Sequence, residues 1–243
     1  ITLVTQVDNM FRGMMAELAV ARDDTTISAT AERGYLFGLT LANNAGDATN
    51  DIDIAVGEAV ASDSPYWRME LASALTKRLD AAWAVGTGNG GLDTGAIANT
   101  TYHVWLIARS DTGVVDALFS ASATAPTMPA NYDRKRRIGS IIRAGGTILA
   151  FRQTGDTFKI ANLVTDRSST SAFAAALLAL TVPTGISVQP LLQSQLQSTG
   201  GTSINSIGDA AQGGTQLNFQ AAVSGTVTDL LTGGTFTNTS AQI

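Results

Sequence analysis

The feature that most constrains the fold of this chain is a run of strand-forming residues from Tyr102 to Arg109. It ends at Asp111-Thr112-Gly113, a short glycine-containing loop of the kind that joins hairpin strands. Side chains alternate across a strand, and here both faces are apolar: Tyr102, Val104 and Leu106 on one, and His103, Trp105 and Ile107 on the other. An antiparallel strand usually has one solvated face. A second sheet or another subunit therefore has to cover the second face.

Three further strands are predicted after this loop, at residues 114–119, 136–143 and 147–153. Pro126 and Pro129 interrupt regular pairing between the first two, because proline has no N–H to give to a ladder. Gly145-Gly146 suits a primed two-residue turn, in which both central residues have positive φ. Four strands with local connections predict an antiparallel meander rather than βαβ units.

The rest of the chain contains short strand patterns separated by turn-forming residues. Residues 172–180 favour a helix by propensity and a strand by their surroundings, and we predict a strand there. The glycine-rich stretch at residues 86–91 predicts a solvent-facing loop. The other predicted strands are residues 34–41, 52–56, 158–165, 188–192, 203–207, 216–221 and 227–231.

An amphipathic helix is predicted at residues 7–20, because Phe11, Met14, Met15 and Leu18 fall at helical spacing. Its apolar stripe needs a partner, either its own domain or a second copy of the helix. The predicted fold is therefore all-β, an antiparallel β-sandwich or jelly-roll with a short N-terminal helix. We divide the chain into a helical connector at residues 1–24 and a β-sandwich domain at residues 25–243.

The composition excludes several classes of protein. Charged residues make up 14% of the chain, against about 25% in average proteins. The net charge of -5 argues against nucleic acid as a partner, since phosphate binding needs a basic surface. No cysteine is present for disulfides or thiolate metal sites. No apolar run approaches the roughly 20 residues of a membrane span, so we expect none.

Two segments resemble a module of tail-fibre and related virion proteins of tailed bacteriophages. They are ANTTYHVWLIARSDTGVVDALFSASATAPTMPANYDRKRRIGSI (residues 98–141) and TKRLDAAWAVGTGNGGLDTG (residues 76–95). A third segment, VDNMFRGMMAELAVARDD (residues 7–24), resembles a short helical segment that precedes the distal domains of phage fibre proteins. The resemblance implies a distal tail-fibre or receptor-binding domain, located in the virion after assembly in the bacterial cytoplasm. It also implies a homo-oligomer, expected to be a trimer, that contacts other virion proteins and a host surface glycan or outer-membrane receptor. An architectural head-fibre or decoration protein and a glycan depolymerase are the alternatives.

No catalytic motif is found, and we expect neither enzymatic activity nor a cofactor. His103 is the single histidine, and its place among apolar residues is typical of the core. The Asp and Asn residues between positions 47 and 53 do not match an EF-hand, so we expect no metal site. Depolymerase activity would need a carboxylate pair at a suitable separation, for which the candidates are Asp63, Glu70, Asp80, Asp93 and Asp116.

Aromatic residues beside glycine or proline loops are the candidates for glycan binding, because aromatic faces stack on sugar rings. They are Tyr66, Trp67, Trp83 and Tyr132. The dense basic run at residues 134–137 has two interpretations. Pairing with strand-borne acidic residues such as Asp116 is the favoured one, and an anion-binding patch for polysaccharide is the other.

Overall fold

The structure, a computed structural model, describes residues 10–12, 14, 33–169, 176–198, 203–207, 217–221, 225–231 and 235–243. These residues are nearly all β, with a helical piece at residues 10–12 and 14, which confirms the predicted fold class. The rest of the predicted helix at residues 7–20 lies outside the described residues. No helix in the described part of the chain is long and apolar enough to cross a bilayer.

The strands of the described residues are β1 (Leu36–Gly38), β2 (Leu41–Asn43), β3 (Asp51–Ile54), β4 (Gly57–Val60), β5 (Arg68–Leu71), β6 (Leu75–Ala82), β7 (Asn89–Leu92), β8 (Thr101–Ala108), β9 (Val115–Ser120), β10 (Arg134–Ala144), β11 (Thr147–Ile148), β12 (Phe151–Thr154), β13 (Thr157–Ile160), β14 (Leu192–Ser198), β15 (Ser203–Ile207), β16 (Leu217–Ala221) and β17 (Gly225–Leu231). The chain divides into two compact units. The first contains Ile1–Ile97, His103–Ser120 and Pro126–Gly139, and the second contains Ala98–Tyr102, Ala121–Ala125 and Ser140–Ile243.

The largest sheet has eight strands in the order β11-β10-β8-β9-β7-β6-β3-β2. It is mixed, because β7 pairs in parallel with both β6 and β9, whereas β8 pairs with β9 antiparallel. A second sheet, β1-β4-β5, is antiparallel. Met69 and Leu71 of this sheet are buried and alternate with exposed residues, and β5 contacts β9 of the large sheet. The first unit thus buries its core between two layers of strands.

The predicted meander is wrong in its strand order. The hairpin of β8 and β9 forms as expected, with Gly113 at a φ of 72° in its loop. However, β10 lies beside β8 and not beside β9. The connection containing Pro126 and Pro129 is long enough to carry the chain past the hairpin, and local patterns do not specify which edge the next strand joins. The predicted strand at residues 147–153 also divides into β11 and β12.

Both faces of β8 are buried by the chain itself, every one of its residues being almost fully covered. Trp105 and Ile107 pack with Leu118 and Tyr132, and Trp83 and Met128 complete this cluster. Another subunit is therefore not needed to cover β8.

The predicted loop at residues 86–91 is correct only in its first half. Gly86 and Gly88 lie in a turn at positive φ, but Gly90 and Gly91 belong to β7 and are buried. A Cβ on Gly90 would lie 1.9 Å from the Ala82 carbonyl oxygen, and one on Gly91 would lie 2.7 Å from the Phe119 ring. Because glycine has a low strand propensity, the sequence pattern indicated a loop at these residues. The structure instead has a strand there, and its close packing against Ala82 and Phe119 leaves room only for glycine.

The second unit, taken by itself, contains strand pairs formed by β12 with β13, β14 with β17, and β15 with β16. The last three predicted strands are confirmed as β15, β16 and β17. The predicted return strand at residues 188–192 is wrong, because β14 begins only at Leu192. Of the predicted strand at residues 172–180, Ala179 forms an isolated bridge with Gln242, and residues 171–175 lie outside the described residues.

One bent hairpin connects the two sheets of the first unit. Its first arm contributes β1 to the small sheet and β2 to the large one, and its second arm contributes β3 to the large sheet and β4 to the small one. The hydrogen bond from the Leu39 N–H to the Val56 carbonyl, 3.1 Å long, maintains the pairing through the bend. Gly38 lies at this bend with a φ of 68°, and a Cβ there would lie 2.5 Å from the Val56 oxygen.

Replacing Gly38 with alanine should therefore destabilise the protein more than replacing Gly113. Both glycines have left-handed backbones, with φ values of 68° and 72°, so an alanine is strained at either position. A Cβ on Gly113 would have no neighbouring atom within 4 Å, whereas a Cβ on Gly38 would meet backbone atoms. We expect Gly38→Ala to lose about 1–3 kcal/mol more than Gly113→Ala, as overpacked sites do. Urea unfolding of both variants is the measurement, and equal losses would contradict the bend.

Candidate functional site

Tyr66 and Trp67 lie on the surface of the first unit, immediately before β5. Trp67 is 40% exposed and Tyr66 is half-buried. The Trp67 carbonyl accepts a hydrogen bond of 2.8 Å from the Ala61 N–H, and Met69 and Leu71 anchor the following strand in the core. The aromatic pair is thus carried by a fixed strand end with its side chains accessible.

Two arginines near this aromatic pair each lie over a tyrosine ring. The Arg33 guanidinium lies 5.5 Å from the centre of the Tyr66 ring, and its Nη1 is 3.5 Å from the Tyr66 hydroxyl. Arg68 follows Trp67 and lies 5.1 Å from the centre of the Tyr35 ring. Such cation–π contacts hold a planar guanidinium in place without neutralising its charge.

A carboxylate completes the contacts of Arg68 and Tyr35. Glu58 forms an ion pair of 3.2 Å with Arg68 and accepts a hydrogen bond of 2.7 Å from the Tyr35 hydroxyl. The hydrogen bond to this carboxylate raises the pKa of the Tyr35 hydroxyl. Phe37, which lies in β1 two residues after Tyr35, is 67% exposed. We call the residues Arg33, Tyr35, Phe37, Tyr66, Trp67 and Arg68 the aromatic surface.

The other two predicted glycan-binding residues occupy a different environment. Trp83 and Tyr132 contact each other edge to face, with ring centres 5.1 Å apart, and both pack in the cluster that contains Trp105. Tyr132 is only 8% exposed, and the Trp83 indole N–H donates to the Ala117 carbonyl at 3.0 Å. Burial raises the pKa of Tyr132, and the nearby Asp116 charge raises it further. The structure thus packs Trp83 and Tyr132 against each other in this cluster, whereas Trp67 is exposed and Tyr66 is half-buried at the surface.

A buried ion pair lies beside Trp83. Lys77 Nζ is 3.1 Å from Asp116 Oδ1, and neither side chain has more than 1% of its surface exposed. The same Nζ donates to the carbonyls of Ala84 at 2.6 Å and Gly86 at 3.2 Å. Burial lowers the pKa of Lys77, against the opposing effect of Asp116.

Asp116 is equally well satisfied. It accepts hydrogen bonds of 2.6 Å from the N–H groups of Gly86 and Ala117. These contacts fasten the loop after β6 to β9, which is a structural role. The sequence does place one charged residue at an inward-facing position in each of these two strands: Lys77 in β6, on the same face as Leu79, and Asp116 in β9. That pattern does not show that the two residues pair with each other.

The basic run at residues 134–137 does pair with acidic residues, although Asp116 is not one of the partners found for it. Lys135 forms an ion pair with Asp63, and Arg134 lies 3.0 Å from Asp133. Arg136 donates instead to a backbone oxygen, that of Gly34, at 3.2 Å. Burial lowers the pKa of Arg137, and the charge of Arg136 lowers it further. The run therefore contributes two ion pairs, and it contributes one arginine, Arg136, that contacts a backbone oxygen.

The remaining carboxylates that were candidates for a depolymerase have different interaction partners. Asp80 pairs with Arg78 at 3.3 Å, and Asp93 accepts the Thr127 N–H at 2.9 Å. Glu70 lies opposite Glu58 in the pairing of β4 with β5. His103 is buried in β8, as its apolar neighbours predicted.

A shallow cavity of about 460 Å³ lies over β2, β3 and the start of β6. Asp53 lines it, and its Oδ1 accepts hydrogen bonds from Asn44 Nδ2 at 2.8 Å and Thr76 Oγ1 at 2.7 Å. None of its lining residues is aromatic.

The nearby Asp47 caps its own loop by accepting a hydrogen bond from the Thr49 N–H at 2.9 Å. In the ranges that the structure describes, no group of three or more His, Asp or Glu side chains is placed to hold a metal ion.

A scan against protein-family models and searches of curated proteins and of solved structures find no match to this chain.

Proposed function

We propose that this chain is the distal, host-contacting domain of a tailed-phage virion protein, and that its aromatic surface binds host-surface glycan. The exposed Trp67 and the half-buried Tyr66 at a fixed strand end are the observation that carries the glycan assignment. The resemblance of residues 98–141 to phage fibre modules supports the virion assignment. The all-β architecture, which offers a stable platform for surface loops, is compatible with both.

Stacking on sugar rings is the physical basis of the proposal. Rigid aromatic side chains provide large contact area at low cost in conformational entropy. Arg33 and Arg68 restrict the rings of Tyr66 and Tyr35 before any ligand arrives, and restriction of this kind reduces the ordering cost of binding. In this proposal Trp83 and Tyr132 do not contact the glycan, and their role is to pack in the core.

Replacing the exposed Trp67 should remove most of the binding to susceptible cells. We expect Trp67→Ala to weaken binding about tenfold or more, as aromatic hot-spot residues do. Phe236→Ala is the control, because it removes an exposed ring of the second unit. Binding is measured by titrating fluorescently labelled protein on susceptible cells. Equal binding by wild type and both variants would contradict the aromatic surface as the contact.

The bound polysaccharide should keep its original length, because we propose binding without turnover. The measurement is gel electrophoresis of surface polysaccharide after incubation with purified protein, together with competition against infection by the parent phage. Shortened polysaccharide would favour the depolymerase alternative. Failure to bind any susceptible cell would favour the architectural head-fibre or decoration alternative.

We further propose that the full chain forms a homotrimer through its N-terminal helix. Phe11 and Met14 belong to the predicted apolar stripe and are 64% and 62% exposed, while Met15 and Leu18 lie outside the described residues. Light scattering should give three times the chain mass of 25.1 kDa. Phe11→Ser combined with Met14→Ser should lower that mass, since the stripe would lose its apolar contacts. A wild-type monomer at micromolar concentration would contradict the proposal.

A further inference from the structure

Two arginines contact the segment around Gly34, at the edge of the aromatic surface. Arg136 Nη2 donates to the Gly34 carbonyl at 3.2 Å, and Arg33 is the residue that precedes Gly34. Arg33 in turn lies over the Tyr66 ring. Gly34 thus connects two arginines that are far apart in the sequence, because Arg33 is its neighbour in the chain and Arg136 is its hydrogen-bond partner.

Among the described residues, neither of these arginines has a carboxylate partner. The carboxylates nearby are engaged elsewhere: Asp63 pairs with Lys135, and Glu58 pairs with Arg68. Arg33 contacts a ring and a hydroxyl, and Arg136 contacts a carbonyl, and neither kind of contact supplies a counter-charge to the guanidinium. The charge of Arg136 also helps to lower the pKa of Arg137, after the larger effect of burial, as uncompensated positive charge does.

This excess charge is unusual for the chain as a whole, whose net charge is -5. Arg33 is exposed, and Arg136 is half-buried on β10. A guanidinium held by an aromatic ring or a carbonyl still presents free N–H groups in a fork that matches carboxylate or phosphate oxygens. Tyr66, whose ring contacts Arg33, directly precedes the exposed Trp67.

We infer that Arg33, Arg136 and Tyr66 form a subsite for an anionic sugar, so that the glycan bound at the aromatic surface carries carboxylate or phosphate groups. The inference rests on the proposed glycan binding and adds its chemical class. The two guanidinium groups bind the anionic substituent, and the rings of Tyr66 and Trp67 contact the sugar rings. A neutral polysaccharide would leave both arginines without a counter-charge.

The test compares variants on polysaccharide extracted from susceptible cells. Arg33→Gln and Arg136→Gln should each weaken binding about tenfold, as losses of charge-assisted hydrogen bonds do. Arg136→Lys should recover part of the affinity, because it keeps the charge but not the fork. Arg152→Gln is the matched control: Arg152 is an exposed arginine of the second unit, and its loss should leave binding unchanged. Melting temperatures close to that of the wild type show that the variants remain folded.

Salt and chemical modification of the polysaccharide identify the anion. Raising the ionic strength from about 0.01 M to about 1 M, which shortens the screening length about tenfold, should weaken wild-type binding and have little effect on the double variant Arg33→Gln/Arg136→Gln. Polysaccharide with its carboxylates reduced to alcohols should bind weakly if the group is a carboxylate, and dephosphorylated polysaccharide should bind weakly if it is a phosphate.

The outcomes separate this inference from the proposed function on which it rests. Binding that is insensitive to salt, to both treatments and to both arginine variants, while Trp67→Ala still weakens it, would overturn the anionic subsite and leave glycan binding standing. Loss of sensitivity to Trp67→Ala as well would overturn both.

Discussion

Asp116→Ala should destabilise the first unit by about 3–5 kcal/mol, the loss found when one partner of a buried ion pair is removed. Lys77 would remain as an ammonium group with none of its side chain exposed and without the carboxylate that now pairs with it. The Gly86 N–H, which donates to Asp116 at 2.6 Å, would lose its acceptor in the same step. Urea unfolding followed by tryptophan fluorescence reports the change, because the centre of the Trp83 ring lies 5.4 Å from the Lys77 nitrogen.

The matching double variant separates the cost of an unpaired charge from the loss of packing. Lys77→Met combined with Asp116→Leu should lose less stability than the sum of the two single variants, since no charge is left buried. Asp80→Ala is the control, because Asp80 pairs with Arg78 on the surface, and its removal should be nearly silent. A loss for Asp116→Ala no greater than that for Asp80→Ala would show that the pair is not buried as described.

Trp105→Ala should cost about 3–5 kcal/mol, as large aromatic truncations in protein cores do. Trp105 is 3% exposed in the central strand β8, and its cluster includes Ile107, Leu118 and Tyr132. Strands β9 and β10 pair with β8 on its two edges, so the β8 backbone cannot shift to close the cavity that the indole leaves.

Thr112→Ala is the contrast to Trp105→Ala within the same hairpin. Thr112 lies exposed in the loop that joins β8 and β9, so its replacement should leave stability nearly unchanged. Trp105→Phe should retain much of the stability that alanine loses, since the ring still fills part of the space. Similar shifts in urea midpoint for Trp105→Ala and Thr112→Ala would contradict the central position of β8.

The site could be predicted from the sequence only in part. Tyr66 and Trp67 were identified by their place beside a proline loop, and the structure leaves them accessible. Trp83 and Tyr132 satisfied the same criterion, yet they lie in the core cluster. Neighbouring glycines and prolines indicate a turn, but they do not indicate whether the side chain beside the turn faces solvent or the other sheet.

Local structure was largely determined by the sequence itself. The run of strand-forming residues from 102 to 109 specified β8, and Gly145-Gly146 specified a turn in which both φ values are positive, at 59° and 84°. These features depend on residues adjacent in the chain, since strand propensity and the freedom of glycine are properties of a few consecutive residues.

Only the tertiary structure decided which distant residues meet. It placed β10 beside β8, drew Gly90 and Gly91 into a buried strand, joined Lys77 to Asp116, and brought Arg136 to the backbone beside Arg33. Each of these outcomes depends on the order of strands in the sheets, and that order follows from burying the apolar faces of the whole chain together. No short segment contains that information, because the free energy of burial belongs to surfaces that the segments form only in combination.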